Sequence, residues 1–148
     1  MAKTTLCYVE CEDCYLMLNR NKRENDYNKG KWIGIGGHIE DGETPMECII
    51  REAKEEANLD INPVLRGKIY FIDSGYSEVM YLFTANVDEK KIIECDEGTL
   101  AWIEKSKILD LNLWEGDKLF LKRLTQSKEY FELELFYING NFIKGVFV

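Results

Sequence analysis

No apolar run in this 148-residue chain approaches the ~20 residues needed to cross a bilayer. No signal-peptide pattern is present either, because Met1-Ala2-Lys3-Thr4-Thr5 leads straight into a strand-like segment. A cytoplasmic location without membrane attachment is therefore expected. Low-complexity segments, internal repeats and Gly/Ser/Pro linkers are missing, so residues 1–148 read as one domain. The five cysteines are an odd number, scattered at Cys7, Cys11, Cys14, Cys48 and Cys95, and make a poor disulfide framework. Cys11-x-x-Cys14 has no second pair, and the one histidine, His38, is far along the chain. That pair reads as reduced thiols flanking a Glu12-Asp13 hairpin turn rather than a zinc or redox motif. Positive charge is also in short supply. The formal net charge of −8 argues against a polymeric nucleic acid partner, whose phosphates favour a basic surface. A small anionic substrate stays open if metal ions screen the charge locally.

What the chain does have is a globular composition, 45% hydrophobic with 3 Trp, 8 Tyr and 7 Phe. Residues 4–10 and 14–19 read as strands joined by a tight turn, and 20–31 as a polar loop. Trp32 to Gly37 reads as a short apolar strand ending in glycines. A helix follows: Thr44-Pro45-Met46-Glu47 combines an N-cap, a proline at the first helical position and a capping-box glutamate. Met46, Ile49, Ile50, Ala53 and Ala57 form its expected apolar stripe, and Asn58 suits a left-handed terminus. Strands are expected at 64–72, 78–87 and 100–103, a helix at 119–124, and a final hairpin over 130–148 turning at Asn139-Gly140. Strands and helices intermixed without a regular βα repeat predict an α+β or mixed α/β sandwich.

On the helix from Pro45, Glu52, Glu55 and Glu56 project within about 100° of one another. Three carboxylates so placed repel, by a few tenths of a kcal/mol per pair. A hard divalent cation, which prefers oxygen ligands, would relieve that cost. Arg51 and Lys54 offer the other compensation, which would leave only a solvated charged face.

The flanking residues decide between the two. Gly37, Glu43, Arg51-Glu52-Ala53 and Glu55-Glu56-Ala57-Asn58-Leu59 resemble the box of the Nudix hydrolases, Gly-x5-Glu-x7-Arg-Glu-U-x-Glu-Glu-x-Gly-U, where U is aliphatic. Over residues 37–59 a single fixed position departs: Asn58 stands in for the last glycine. Asparagine is the best substitute where the backbone is left-handed.

The resemblance implies a Nudix-type α/β/α sandwich around a mixed β-sheet, with a loop–helix–loop unit that binds Mg²⁺, or alternatively Mn²⁺. It places the metal ligands at the Gly36 carbonyl and at Glu52, Glu55 and Glu56. Glu97, in Glu97-Gly98-Thr99-Leu100-Ala101-Trp102, is similar to an acidic residue of the family's later loop and joins them, with Asp96 as its competitor. Glu52 resembles the usual general base. Arg51 is grouped with the catalytic residues but is expected to pair with Glu43 and hold the unit together. Gly36 and Gly37 let the backbone approach metal and phosphates.

Gly30 to Gly37, Gly42-Glu43-Thr44-Pro45, Glu97-Gly98-Thr99 and Trp114-Glu115-Gly116-Asp117 look like MutT/MutX-type 8-oxo-dGTP diphosphatases, enzymes of DNA repair. That resemblance implies a small-molecule nucleotide substrate, an oxidised purine deoxynucleoside triphosphate cut to its monophosphate and pyrophosphate. Trp114 would stack on the base, with a core tryptophan as the alternative, and Asp117 would bond its edge. Thr5 is a candidate for the base pocket and Arg20 for the phosphates or sugar; otherwise they are a polar strand residue and a surface cation. Ile33 stands where mammalian relatives read the base with asparagine, and Gly116 where they carry a further aspartate. Those departures leave open a nucleoside-diphosphate sugar, a dinucleoside polyphosphate or a normal NTP. A non-catalytic nucleotide-sensing module is disfavoured because the box keeps its glutamates.

Overall fold

Ten regular elements run along the chain of the computed structural model, which describes residues 1–148. They are β1 (Ala2–Cys11), β2 (Cys14–Asn19), β3 (Trp32–Ile33), α1 (Pro45–Ala57), β4 (Val64–Asp73), β5 (Tyr76–Asn86), β6 (Thr99–Glu104), α2 (Asp117–Gln126), β7 (Phe131–Ile138) and β8 (Asn141–Phe147). The strands form one mixed sheet in the order β3-β2-β1-β5-β4-β7-β8, with β6 paired to β2. The β1–β5 and β4–β7 pairs are parallel and the rest antiparallel.

Strand alternation divides the core in two. Cys7 and Val9 of β1 and Leu16 and Leu18 of β2 pack under Ile49, Ala53 and Ala57 of α1. Their neighbours Leu6, Tyr8, Tyr15 and Met17 pack on the opposite face with Phe120, Leu121 and Leu124 of α2. The result is the expected α/β/α sandwich. No helix is long and apolar enough to cross a membrane.

Beyond the hairpin β1 and β2 diverge, and residues 32–38 wedge between them. Ile33 and Trp32 pair with Leu18 and Asn19. Cys7 then exchanges backbone bonds with Ile35 (2.7 and 3.0 Å), and Thr5 N–H donates to the Gly37 carbonyl (2.9 Å). The segment is therefore a regular strand for two residues only, shorter than its sequence suggests. A side chain at Gly34 would put its Cβ 2.5 Å from the Cys7 carbonyl, and one at Gly36 would collide with the Thr5 carbonyl. The glycines let the wedge lie flat on β1 and lead it to the start of α1.

Helix α1 starts as its cap predicts. Glu47 N–H donates to Thr44 Oγ1 (3.1 Å), and Thr44 N–H donates to Glu47 Oε1 (2.9 Å). The buried face differs from the expected stripe. Met46 and Ile50 are 40% and 42% exposed, and the core side carries Cys48 and Glu56 together with Ile49, Ala53 and Ala57. The helix is rotated so that a carboxylate lies beneath the sheet-side glycines, which hydrophobic periodicity cannot reveal. A 3₁₀ segment, Lys105–Asp110, follows β6 where the sequence pattern marks no regular element.

Asn58 ends α1 at φ 53°, ψ 40°, with its N–H bonded back to the Ala53 and Lys54 carbonyls. Asparagine and glycine both tolerate this conformation. Asn58→Gly is therefore expected to shift unfolding free energy by less than about 1 kcal/mol and to leave turnover near wild type, as measured by urea denaturation and steady-state kinetics.

Candidate active site

The wedge glycines, α1 and the loop before β6 meet at one end of a cleft of about 870 Å³. Gly36 N–H donates to Glu56 Oε1 (3.0 Å). A Cβ on Gly37 would lie 2.6 Å from the Glu52 carboxylate, so only glycine leaves that carboxylate its place. Glu56 touches both Glu52 and Glu97, so carboxylates from α1 and from the later loop stand side by side. Burial and the adjacent Glu97 charge push the Glu56 carboxyl up to about 9, and burial raises Glu52 as well. Glu56 Oε2 and Glu97 Oε2 are buried without a hydrogen-bond partner.

Arg51 organises the other side. It donates through Nε and Nη2 to Glu43 (2.7 and 3.0 Å), through Nη1 to Glu52 Oε1 (2.9 Å) and Glu55 Oε2 (3.2 Å), and through Nη2 to the His38 carbonyl (3.3 Å). Its guanidinium holds the Glu43 carboxyl down at about 2. The predicted Arg51–Glu43 pair is thus present, and Arg51 also draws Glu52 and Glu55 toward itself. Glu55 is the outlying member, with a side chain 59% exposed and turned to Arg51 rather than to Glu56. No three His, Cys, Asp or Glu side chains close into a ready cation cage. The donor set still suits a hard divalent cation, since it is all oxygen, partly buried and includes two orphaned carboxylate oxygens.

Arg20 lines this end, with Nε on Asp26 Oδ2 (2.7 Å) and Nη1 3.7 Å from Glu97 Oε2. Arg23, unmarked by the sequence reading, lies 3.5 Å from Glu97 Oε1. Thr5 lines the cleft, and its Oγ1 also braces the glycine loop, bonded to the Gly37 carbonyl (3.3 Å) and within 3.2 Å of Cys48 Sγ.

At the cleft's other end, Asp117 begins α2 and is only 9% exposed, and its side chain accepts no hydrogen bond from the protein. Burial pushes its carboxyl up to about 7, against the pull of Lys31 and with a push from Glu78. Trp114 borders the same end, but its ring is not bare. Tyr27 stacks on it (centroids 5.0 Å apart, planes 16° apart), Lys31 Nζ lies 5.0 Å from its centroid, and its Nε1–H donates to Asn28 Oδ1 (2.7 Å). A base reaching the Tyr27-covered face needs Tyr27 to swing aside. Ile33 lines the cleft as an apolar wall. Gly116 has no room for the aspartate of the relatives, because a Cβ there would come within 2.8 Å of Tyr137 Oη.

The sequence pattern did not single out Tyr27, Phe71, Asp73, Glu78 or Met80, which also line the cleft. A legible signal existed in β4, where the alternation Ile69, Phe71, Asp73 puts a charge on an otherwise apolar face.

This fold, joined to a glycine loop, a capped helix of glutamates and a nucleotide-sized cleft, defines a class of phosphoanhydride hydrolase. The NUDIX domain family matches residues 3–124. The Nudix hydrolase YvcI of Bacillus subtilis is 32% identical over 124 residues, covering 79% of this chain and 75% of that protein. The oxidized purine nucleoside triphosphate hydrolase of Danio rerio is 31% identical over 118 residues, 78% of this chain and 74% of the relative. The crystal structure of a MutT protein from Bacillus halodurans superposes with a TM-score of 0.89 at 25% identity, covering 99% of this chain and 97% of that one. The chain belongs to the Nudix hydrolase family, which acts on pyrophosphate bonds of small nucleotides and generally uses divalent cations.

Proposed function

We propose that this protein is an Mg²⁺-dependent pyrophosphohydrolase that converts an oxidised purine deoxynucleoside triphosphate, 8-oxo-dGTP, to its monophosphate and pyrophosphate. The observation that carries the reading is one continuous cleft with a glutamate and glycine end and, at the other end, a buried unpaired carboxylate beside an aromatic wall. The zebrafish relative, named for oxidised purine nucleoside triphosphates, supports the same substrate class.

In this reading Glu52, Glu56 and Glu97 and the Gly36 carbonyl would hold the cation, joined by Glu55 if it turned from Arg51, with Mn²⁺ as the alternative ion. Bound there, a divalent cation would neutralise phosphate oxygens and favour attack of water on phosphorus. Glu52 takes the proton at Oε2, since Oε1 is engaged by Arg51. Arg51 positions Glu52 rather than touching substrate. Gly37 lets the phosphates approach the backbone, and Arg20, beside Glu97, meets them. Trp114 stacks on the base once Tyr27 moves, and Asp117 accepts an N–H from its edge. Thr5 acts through the glycine loop.

The test is a chromatographic screen for nucleotide products, with nucleoside monophosphate as the common one, over normal and oxidised dNTPs, a nucleoside-diphosphate sugar and dinucleoside polyphosphates. Preference for one of the last two classes would replace this reading.

A further inference from the structure

Asp73 ends β4 on the same pleat face as Ile69 and Phe71, and all three line the cleft. Its exposure is 8%, comparable to the 9% of Asp117. One oxygen, Oδ2, accepts from Tyr27 Oη (3.1 Å) and from Gly140 N–H (3.0 Å). The other, Oδ1, is buried with no donor. Asp73 is therefore a second cleft-lining carboxylate with unused acceptor capacity, on a different element from Asp117.

Its present donor is conditional. Tyr27 bonds Asp73 while stacked on Trp114, so any base that displaces Tyr27 from the indole also withdraws a donor from Asp73. A buried carboxylate stripped of a donor is costly unless the incoming group supplies another. We infer that Asp73 is a base-reading, specificity-determining residue. It accepts a ring or exocyclic N–H of the base, so that the site selects purines with N–H donors on two edges. This inference rests on the purine nucleotide reading above. Guanine offers N1–H and the 2-amino group on one edge, and oxidation at C8 converts the N7 lone pair on the other into N7–H. Hypoxanthine lacks the amine, and unoxidised guanine presents a lone pair that a carboxylate rejects. Two acceptor carboxylates match two donor edges.

The test is calorimetric binding of three monophosphates, 8-oxo-dGMP, dGMP and dIMP, to the full chain with Mg²⁺, in wild type and Asp73→Asn. Asparagine keeps an acceptor for Gly140 N–H and Tyr27 Oη but replaces the orphan oxygen with a donor. The inference expects Asp73→Asn to weaken 8-oxo-dGMP binding by roughly 10- to 150-fold. One of two wild-type discriminations, 8-oxo-dGMP over dGMP or dGMP over dIMP, should then collapse toward unity. Binding within twofold of wild type, with both discriminations intact, would overturn it. If wild type ignores C8 oxidation but prefers dGMP to dIMP, and Asp73→Asn erases that preference, the oxidised-substrate reading fails while the role of Asp73 stands. Thermal melts check the fold. If asparagine is not tolerated, Asp73→Ser, which retains an acceptor, is measured by the same criteria. A wild type with neither discrimination overturns the inference without any variant.

Discussion

Replacing Glu56 by glutamine is expected to lower kcat by roughly 10²–10⁴, the order seen when stabilisation of transition-state charge is lost. The substitution nearly keeps shape, and the Gly36 N–H retains an oxygen acceptor. What is removed is the carboxyl standing between Glu52 and Glu97, the most deeply buried of the set, which is held protonated at neutral pH without a cation and must ionise to bind one. Folding should persist, as measured by melting in EDTA, where the variant is expected to match wild type because glutamine resembles the protonated carboxyl. Chelation should abolish hydrolysis in wild type and Mg²⁺ should restore it. Glu55→Gln is the informative partner, because Glu55 lies outward on Arg51 in this structure. A loss of similar size there would show that Glu55 turns inward to the cation. Full activity in Glu56→Gln would remove the cation assignment.

The second large effect is expected at Asp117. A hydrogen bond to a charged group is worth roughly 1.5–3 kcal/mol, so Asp117→Ala should lower kcat/KM for 8-oxo-dGTP by about 10- to 150-fold. Slow hydrolysis of poorly selected nucleotides should remain, since the glutamate end is untouched. Burial gives the same residue a signature in stability. Its carboxyl titrates at about 7 when folded, above the ordinary 3.8. Between those values the folded state holds a proton that the unfolded state releases, so this group makes stability fall as pH rises from about 4 to about 7, and not further. Asp117→Asn removes that contribution. Its melting temperature relative to wild type should climb across that window and then level off. A constant difference from pH 4 to 8 would contradict the burial of this carboxylate. A mutant that kept full discrimination between 8-oxo-dGTP and dGTP would remove Asp117 from base recognition.

Two parts legible in the residues themselves, the Thr44–Glu47 capping box and the left-handed Asn58, are set by local backbone chemistry, and both are present. The Arg51–Glu43 pair, implied by the Nudix resemblance, is present as well. The sandwich followed from the Nudix resemblance, since β1 and β2 are buried along most of their length and carry no polar alternation. What was not legible depends on how elements rotate or cover one another. Helical periodicity alone left Met46 and Ile50 on the buried side, whereas packing buried Cys48 and Glu56. Trp114 was placed at the base end by its motif, but nothing in a linear pattern shows Tyr27 lying across it from a loop 87 positions earlier. Thr5 was marked for the pocket by resemblance and does line the cleft, but its partners Gly37 and Cys48, from the wedge and from α1, are set by the fold. Asp73 falls just past the strand expected at 64–72 and drew no notice there. Its meaning needed the fold, which brings Tyr27 and Gly140 to one of its oxygens and leaves the other bare.

The most direct test of the proposed activity is kcat/KM for 8-oxo-dGTP and dGTP with the purified protein in Mg²⁺, with products separated chromatographically. The account predicts nucleoside monophosphate and pyrophosphate as products, and a kcat/KM at least roughly tenfold higher for the oxidised nucleotide, the effect of one N–H accepted by a buried carboxylate. Equal kcat/KM for the two nucleotides, or release of inorganic phosphate in place of pyrophosphate, would contradict it.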